Sequence, residues 1–212
     1  MSITTQGLVV LSAPDYSKPW LVSGSGRSGT TGLIRLIDGF GVPSLETDGI
    51  KETNENCDLL QFWQAGDLEA IRSFRKEWPP GTVAKIPGMG AAAGQDSELA
   101  RSLDCNYVFS FRDPVAESFY AFQHPHANVG QLLAQRAAIT RATIEAAISL
   151  SQSYGCLVVS YEKMIQPKSN WRLVQSLCTL MAGQPELLEM ALRSLETEAV
   201  GYRNEFNEQV GT

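Results

Sequence analysis

The chain has 212 residues, of which 43% are hydrophobic and 19% are charged, and this ordinary balance excludes a disordered chain, a collagen-like chain and a coiled coil. Lysine and arginine number 17 against 23 for aspartate and glutamate, so the net charge of −6 excludes nucleic-acid binding through a diffuse basic face. The apolar runs are too short to span a bilayer and the first residues show no signal peptide, so we expect no association with a membrane.

Short apolar strands alternate with longer helical segments along the chain. In order, the first half is predicted to contain a strand over 20–22, a helix over 30–38, a helix over 67–78, a strand over 82–86 and a loop over 88–94. The second half is predicted to contain a helix over 97–103, a strand over 106–111, a helix over 129–154, a strand over 156–160 and helices over 169–181 and 185–195. Asp67 and Asn128 are predicted to cap the helices that follow them.

The strands have near-continuous apolar character, which is typical of a parallel sheet that is buried on both faces. We therefore expect an α/β fold: a single domain over residues 1–212, with a parallel β-sheet flanked by helices on both faces. Ligands in such folds bind outside the carboxyl ends of the strands, so the residues that directly follow each strand are the candidates for a functional site.

The four cysteines, Cys57, Cys105, Cys156 and Cys178, form no Cys-x-x-Cys pair. Cys105 and Cys156 each begin an apolar run, so we expect buried thiols rather than disulfides or zinc ligands. Free thiols persist in a reducing compartment, and we therefore expect a cytoplasmic protein.

A glycine-rich turn, Gly24-Ser25-Gly26-Arg27-Ser28-Gly29-Thr30-Thr31, follows the first predicted strand and begins a helix. Glycines allow a tight turn whose N–H groups point at a bound anion, and the helix N-terminus adds partial positive charge. Gly24 and Gly29 have the spacing of a P-loop, but Thr30 stands at the lysine position and the positive charge lies at Arg27. An anion site is predicted here, and the alternative is a turn that binds nothing.

The run Arg27-Ser28-Gly29-Thr30-Thr31 after an apolar strand resembles the 5′-phosphosulfate loop of the sulfotransferases. The resemblance extends from about Trp20 to Gly183, and it implies a P-loop-like α/β fold whose sulfuryl donor is 3′-phosphoadenosine 5′-phosphosulfate (PAPS). It also implies that six loop residues bind the donor: Gly26, Arg27, Ser28, Gly29, Thr30 and Thr31. Arg27 would in addition stabilise the charge that develops during sulfuryl transfer.

Two later segments resemble the rest of that family's donor site. Arg112 after a strand, with Ser118 on the following helix, is similar to the pair that holds the donor's 3′-phosphate, although Ser118 follows Arg112 by six positions rather than the usual eight. Tyr161 after the strand over 156–160 is similar to a tyrosine near the adenine. The alternatives are a surface ion pair between Arg112 and a neighbouring carboxylate, and for Tyr161 an ordinary aromatic at a strand end.

The general base is predicted among the carboxylates after the loop helix, where some sulfotransferases place a catalytic glutamate. Glu46 is the nearest match in position. Three further carboxylates are alternatives: Asp48, Glu52 and Glu55. His124 is another candidate, because it follows the Arg112 motif and could line the acceptor pocket; with His126 it has metal-ligand spacing, but two ligands do not make a site.

The sequence therefore predicts a PAPS-dependent sulfotransferase that acts on a hydroxyl or amine of a small-molecule or glycan acceptor, without a metal ion. Lys85-Ile86-Pro87 also resembles a Lys-x-Pro strand end in bacterial sulfotransferases. One alternative is a P-loop nucleotide kinase or hydrolase, against which Thr30 argues. The other is a non-catalytic, nucleotide-binding member of the fold.

Overall fold

The computed structural model describes residues 4–5, 7–25, 28–45, 55–113, 128–166, 170–193 and 195. The strands of these residues are β1 (Thr4–Thr5), β2 (Leu8–Ser12), β3 (Trp20–Gly24), β4 (Val83–Lys85), β5 (Asn106–Phe111) and β6 (Cys156–Ser160). They form one sheet in the order β1-β2-β6-β5-β3-β4. Strands β3 to β6 run parallel to one another, whereas β2 pairs antiparallel with β6 and β1 antiparallel with β2.

The helices of the described residues are α1 (Thr30–Gly39), α2 (Cys57–Ala65), α3 (Leu68–Glu77), α4 (Met89–Gln95), α5 (Ser97–Leu103), α6 (Val129–Leu150), α7 (Tyr161–Met164) and α8 (Trp171–Leu180). A 3-10 turn over Pro185–Leu187 leads into helical residues 188–193. In this part of the chain no helix combines the length and the apolar character needed to cross a bilayer.

Both predicted helix caps are confirmed. The side chain of Asp67 accepts a hydrogen bond from the Ala70 N–H at the start of α3. The side chain of Asn128 accepts hydrogen bonds from the N–H groups of Gly130 and Gln131 at the start of α6. Each cap satisfies donors that the first turn of a helix leaves without a partner, so these residues define where α3 and α6 begin.

Alternate residues of each strand point to opposite faces of the sheet, and the buried side chains accordingly form two clusters. On β5, Val108 belongs to the first cluster, whereas Tyr107 and Phe109 belong to the second. Helices α1, α7 and α8 contribute to the first cluster, and α2, α3, α4, α5 and α6 contribute to the second. The predicted α/β fold, a parallel sheet with helices on both faces, is therefore confirmed, with an added antiparallel edge.

The prediction of a loop over 88–94 is wrong, because most of this segment forms α4. A β-carbon on Gly90 would lie 2.8 Å from the Phe109 ring, and one on Gly94 would overlap Ala146 of α6. The small residues of the segment therefore permit close packing between α4, the sheet and α6, rather than a change of chain direction. Composition alone does not distinguish these two uses of glycine.

The prediction of buried thiols is confirmed for Cys105, Cys156 and Cys178, and Cys57 is partly exposed; none of the four forms a disulfide. Burial raises the pKa of Cys105 and of Cys156 to about 12. Both thiols therefore remain protonated at neutral pH and are poor nucleophiles.

Candidate functional site

The carboxyl ends of four parallel strands meet at one edge of the sheet. Gly24 of β3 lies beside Ser110 of β5. At the end of β5, Phe111 lies beside Ser160 of β6. On the other side of β3, Lys85 is the last residue of β4. The glycine-rich loop, Arg112 and Tyr161 directly follow β3, β5 and β6, so three of the predicted segments lie at this common edge, as parallel pairing requires.

The glycine-rich loop turns tightly against β5. A β-carbon on Gly24 would overlap the Ser28 hydroxyl and would lie 2.6 Å from the Ser110 carbonyl oxygen. The Ser28 N–H donates to the Ser25 carbonyl oxygen at 3.1 Å, which closes the turn. The Ser110 hydroxyl donates to the Ser28 carbonyl oxygen at 2.6 Å, which attaches the loop to a central strand. Ser25 and Ser28 are thereby linked to each other, and Ser28 is linked to a central strand.

The Ser28 hydroxyl is buried, and among the described residues its oxygen has no hydrogen-bond partner. A buried polar atom without a partner is uncommon in folded proteins, since leaving it unsatisfied is unfavourable by about 1–3 kcal/mol. It lies immediately before the N-terminus of α1, where backbone N–H groups and the helix dipole favour an anion. A phosphate or sulfate oxygen is the kind of group that fits this position.

Gly29, Tyr161 and Arg112 form a stack beside the loop. Gly29 has φ 85°, and a β-carbon on it would overlap the ring of Tyr161. The guanidinium carbon of Arg112 lies 5.2 Å from the centroid of the Tyr161 ring, within the range of a cation–π interaction. Arg112 and Tyr161 are only 9% and 8% exposed. Arg112 is therefore not a surface residue, and the ring of Tyr161 lies next to both Arg112 and Gly29 of the loop.

The backbone that follows Arg112 is fixed by the start of α7. The Asp113 N–H donates to the Glu162 carboxylate at 2.8 Å. The Ser160 hydroxyl caps α7 by accepting from the Lys163 N–H. The ends of β5 and β6 are thus linked through Glu162, which holds Arg112 and Tyr161 in register.

A buried cation, Lys85, contacts the first turn of α1 and was not among the predicted site residues. Its side chain is 2% exposed, and its ammonium nitrogen Nζ donates to Thr31 Oγ1 at 2.9 Å. The same Nζ lies 3.5 Å from Glu55 Oε1. Burial lowers the pKa of Lys85, an effect that the carboxylate of Glu55 opposes and the charge of Arg35 adds to. The only sequence signal for this residue is the Lys-x-Pro similarity at the strand end.

Glu55 is positioned by the start of α2. The next residue, Asn56, caps α2 by accepting from the Leu59 N–H, and its own side-chain amide donates to the Leu45 carbonyl oxygen at 3.1 Å. The Asn56 N–H donates to the Lys85 carbonyl oxygen at 3.3 Å. This attachment to the end of β4 brings Glu55 to the Lys85 ammonium, so Glu55 is a base candidate that the structure places beside the loop helix.

Five other predicted site residues and three alternatives are not among the residues that the structure describes. The following lie outside the described residues: Gly26, Arg27, Glu46, Ser118 and His124. Three alternatives for the base or the acceptor pocket also lie outside them: Asp48, Glu52 and His126. Their roles therefore stay predictions. Thr30, at the lysine position of the P-loop spacing, is described; it begins α1 and is 5% exposed.

No family model and no curated protein matches the chain. Among solved structures, the sulfotransferase domain of the Synechococcus PCC 7002 olefin synthase superposes with a TM-score of 0.49 and 16% identity, over 84% of this chain and 77% of that one. Shikimate kinase from Bacteroides thetaiotaomicron gives a TM-score of 0.47 and 15% identity, over 78% of this chain and 98% of that one. A sulfotransferase domain from the curacin biosynthetic pathway gives 0.45 and 13%, over 84% and 77%. Similarity this weak supports no argument about function, which must come from the site itself.

Proposed function

We propose that this chain transfers a sulfuryl group from PAPS to a hydroxyl or amine of a small-molecule or glycan acceptor. The observation that carries the proposal is the stack of Gly29, Tyr161 and Arg112, because it sets a buried guanidinium beside a P-loop-like turn. The turn suits the 5′ end of a nucleotide and Arg112 suits a second anionic group. A donor with phosphate at both the 5′ and the 3′ position needs two such places.

Donor binding in this proposal uses the loop residues 26–31 for the phosphosulfate. The Ser28 hydroxyl, which has no partner among the described residues, would donate to a phosphosulfate oxygen. Arg112, with Ser118, would hold the 3′-phosphate through charge-assisted hydrogen bonds. Tyr161, whose ring packs against Gly29 and Arg112, would lie near the adenine, as the resemblance implies.

Sulfuryl transfer is a substitution in which the acceptor oxygen or nitrogen bonds to sulfur as the bond from sulfur to the 5′-phosphate oxygen breaks. Adenosine 3′,5′-bisphosphate leaves, and the acceptor gives its proton to a base. Positioning and positive charge stabilise such a transition state, as they do in phosphoryl transfer. Arg27 and the α1 N-terminus would supply charge at the leaving oxygen. Glu46 is proposed as the base and His124 as its alternative.

The proposal is tested by comparing two ligands in a thermal unfolding experiment. Adenosine 3′,5′-bisphosphate should raise the melting temperature, since saturation at about a hundred times Kd adds about 2.7 kcal/mol of stability. ATP with Mg²⁺ should stabilise the protein less, because Thr30 replaces the lysine that binds triphosphates in P-loop kinases. Equal or larger stabilisation by Mg-ATP would contradict the proposal and favour a kinase.

A second measurement separates catalysis from binding alone. Incubation with PAPS and a panel of phenols, sugars and amines should release adenosine 3′,5′-bisphosphate in an acceptor-dependent manner. Tight binding of the bisphosphate with no turnover on any acceptor would instead support a non-catalytic, nucleotide-binding protein.

A further inference from the structure

The longest helix, α6, carries few charges for a helix at the surface. Its 22 residues include three charged side chains, whereas the ten residues of α3 include five. One of the three, Arg136, is only partly exposed, so Arg141 and Glu145 are the charged residues of the outward face. Five exposed apolar residues share that face with them: Ala134, Ala137, Ala138, Ile144 and Ile148.

Apolar residues therefore lie on both sides of α6. On its inward face Ala146, Ala147 and Leu150 are buried. On its outward face Ile144 is 44% exposed, and Ile148, one turn later, is 51% exposed. A helix that is apolar on all sides is normally buried on all sides. The outward face of α6 thus has the composition of a covered surface.

Five positions of the outward face are spaced alternately by four and three residues, and we call them the α6 seam. They are Ala134, Ala138, Arg141, Glu145 and Ile148, and all five are exposed. Such spacing keeps a stripe on one side of a helix, along which two helices can pack at a small angle. Near the centre of the seam, Arg141 Nε donates to Glu145 Oε1 at 2.8 Å. An exposed pair of this kind contributes little to the stability of a lone helix.

The α6 seam is complementary to itself when a second copy lies antiparallel to it. A two-fold axis at position 143 sets Arg141 opposite Glu145 of the second copy, and Glu145 opposite the arginine. The same axis sets the small side chain of Ala138 opposite the larger side chain of Ile148. A parallel arrangement would instead place each charge against its own kind. Self-complementarity is what a two-fold interface requires, because one patch serves both sides.

From this complementarity we propose that the outward face of α6 binds the same face of a second copy of this chain, which makes the protein an antiparallel, two-fold symmetric dimer. The inference does not depend on the proposed function. A helix of this length extends about 33 Å, close to the diameter of a small domain. A single pair of helices nevertheless buries less area than the interface of an obligate dimer, so we expect a dissociation constant in the micromolar range.

Sedimentation velocity of the full chain over a concentration series tests the proposal. At the highest concentrations the wild type should reach twice the mass of the 23.1-kDa chain. Ile148→Glu should raise the dissociation constant of the dimer roughly thirtyfold or more, the scale of a central interface residue. The reason is that the new carboxylate would face Ala138 of the second copy, which offers no partner for a charge.

Charge reversal tests the pairing itself. Arg141→Glu gives the α6 seam two carboxylates and Glu145→Arg gives it two cations, so each variant alone should be monomeric. Mixed together, the two variants should form a heterodimer, because each of these charges then faces an opposite one. The double variant Arg141→Glu, Glu145→Arg restores self-complementarity and should dimerise as the wild type does. Lys76→Glu makes the same change of charge at an exposed position of α3 and should leave the dimer intact.

Circular dichroism and thermal unfolding show whether each variant is folded, which we expect because the substituted residues are exposed. A wild type that stays monomeric at every concentration would overturn the inference, and this measurement decides even if a variant does not fold. A dimer that survives both Ile148→Glu and Arg141→Glu would use another surface and would also overturn it. Single charge variants that do not associate when mixed would contradict the antiparallel pairing.

Discussion

The ring of Tyr161 lies against Gly29 so closely that the two residues could not both keep their positions if Gly29 carried a β-carbon. The contact joins the end of β6 to the loop that precedes α1. Gly29 also has φ 85°, a backbone conformation that favours glycine. Two independent requirements, a left-handed backbone and the absence of a side chain, therefore coincide at one residue of the candidate site.

Gly29→Ala is expected to displace Tyr161 or the loop and to abolish binding of adenosine 3′,5′-bisphosphate. Strain at a left-handed position is unfavourable by about 1–3 kcal/mol even without the clash, so the melting temperature should also fall. Isothermal titration and thermal unfolding measure the two effects. Gly66→Ala is the matched control, since Gly66 has φ 68° and a β-carbon there would meet no atom within 4 Å; equal loss of binding in both variants would contradict the role of the Tyr161 contact.

Arg112→Ala is expected to weaken the binding of donors that carry a 3′-phosphate more than the binding of donors that lack one. Loss of a charge-assisted hydrogen bond corresponds to about 1.5–3 kcal/mol of binding free energy. Titration of PAPS beside adenosine 5′-phosphosulfate gives the comparison. Because Arg112 also contacts the Tyr161 ring, an equal weakening of both donors would mean that Arg112 positions Tyr161 rather than binding the 3′-phosphate.

Glu46→Gln is expected to lower turnover by about 10²- to 10⁴-fold, the usual contribution of a general base, while donor binding stays near the wild-type value. Glu55→Gln should behave differently, because Glu55 is paired with Lys85 and its loss should alter donor affinity as well. Steady-state kinetics with any acceptor that is found, together with donor titration, distinguishes the two. Normal turnover in Glu46→Gln with a collapse in His124→Ala would assign the base to His124 instead.

The double variant Lys85→Met, Glu55→Gln is expected to be as stable as the wild type or more stable by about 1–4 kcal/mol, since it removes a buried ion pair. The difference should depend on pH. Burial lowers the pKa of Lys85 below its ordinary value of 10.5, so between the two values the unfolded chain binds more protons and wild-type stability rises with pH. The advantage of the double variant should therefore shrink as alkaline pH is approached, and urea unfolding at several pH values measures it. A large loss of stability at neutral pH would show that the pair is structural.

Thiol titration is expected to find one fast-reacting cysteine in the native protein and four in denaturant. Cys57 is partly exposed, whereas Cys105, Cys156 and Cys178 are buried and burial raises the pKa of each of these thiols. Reaction with an aromatic disulfide reagent, with and without guanidinium chloride, measures the number of reactive thiols. Cys57→Ser should remove the fast phase of that reaction. More than one fast thiol would contradict the packing around the sheet.

Local signals predicted much of the fold. Helix caps and apolar strands depend on residues that are close in the sequence. The caps Asp67 and Asn128 and the strand over 106–111 are accordingly found where the sequence predicts them. What could not be predicted depends on distant partners. The direction of β2 follows from its pairing with β6 at the other end of the chain, and α4 depends on close approach to Phe109 and Ala146.

The candidate site divides in the same way. The P-loop spacing of Gly24 and Gly29 is local and could be recognised in the sequence. That Lys85 is buried, and that it meets Thr31, follows from the parallel pairing of β3 with β4 and the attachment of Asn56, which no local pattern contains. A charged residue ending an apolar strand before a proline was the only available hint.

Ser110 and Arg112 are separated by a single residue at the end of β5, and in the proposed function they serve the two ends of the donor. Ser110 holds the loop through the Ser28 carbonyl oxygen, and the Arg112 guanidinium lies over the Tyr161 ring. Two residues of extended chain span about 7 Å, and the first two of the three residues, Ser110 and Phe111, are held in the sheet by pairing with β6. In the proposed function, the spacing of the two anion positions would thus depend on a central strand rather than on the surrounding loops. Under the proposed function, sequence changes in those loops would alter which acceptor is taken without altering the length of donor that fits.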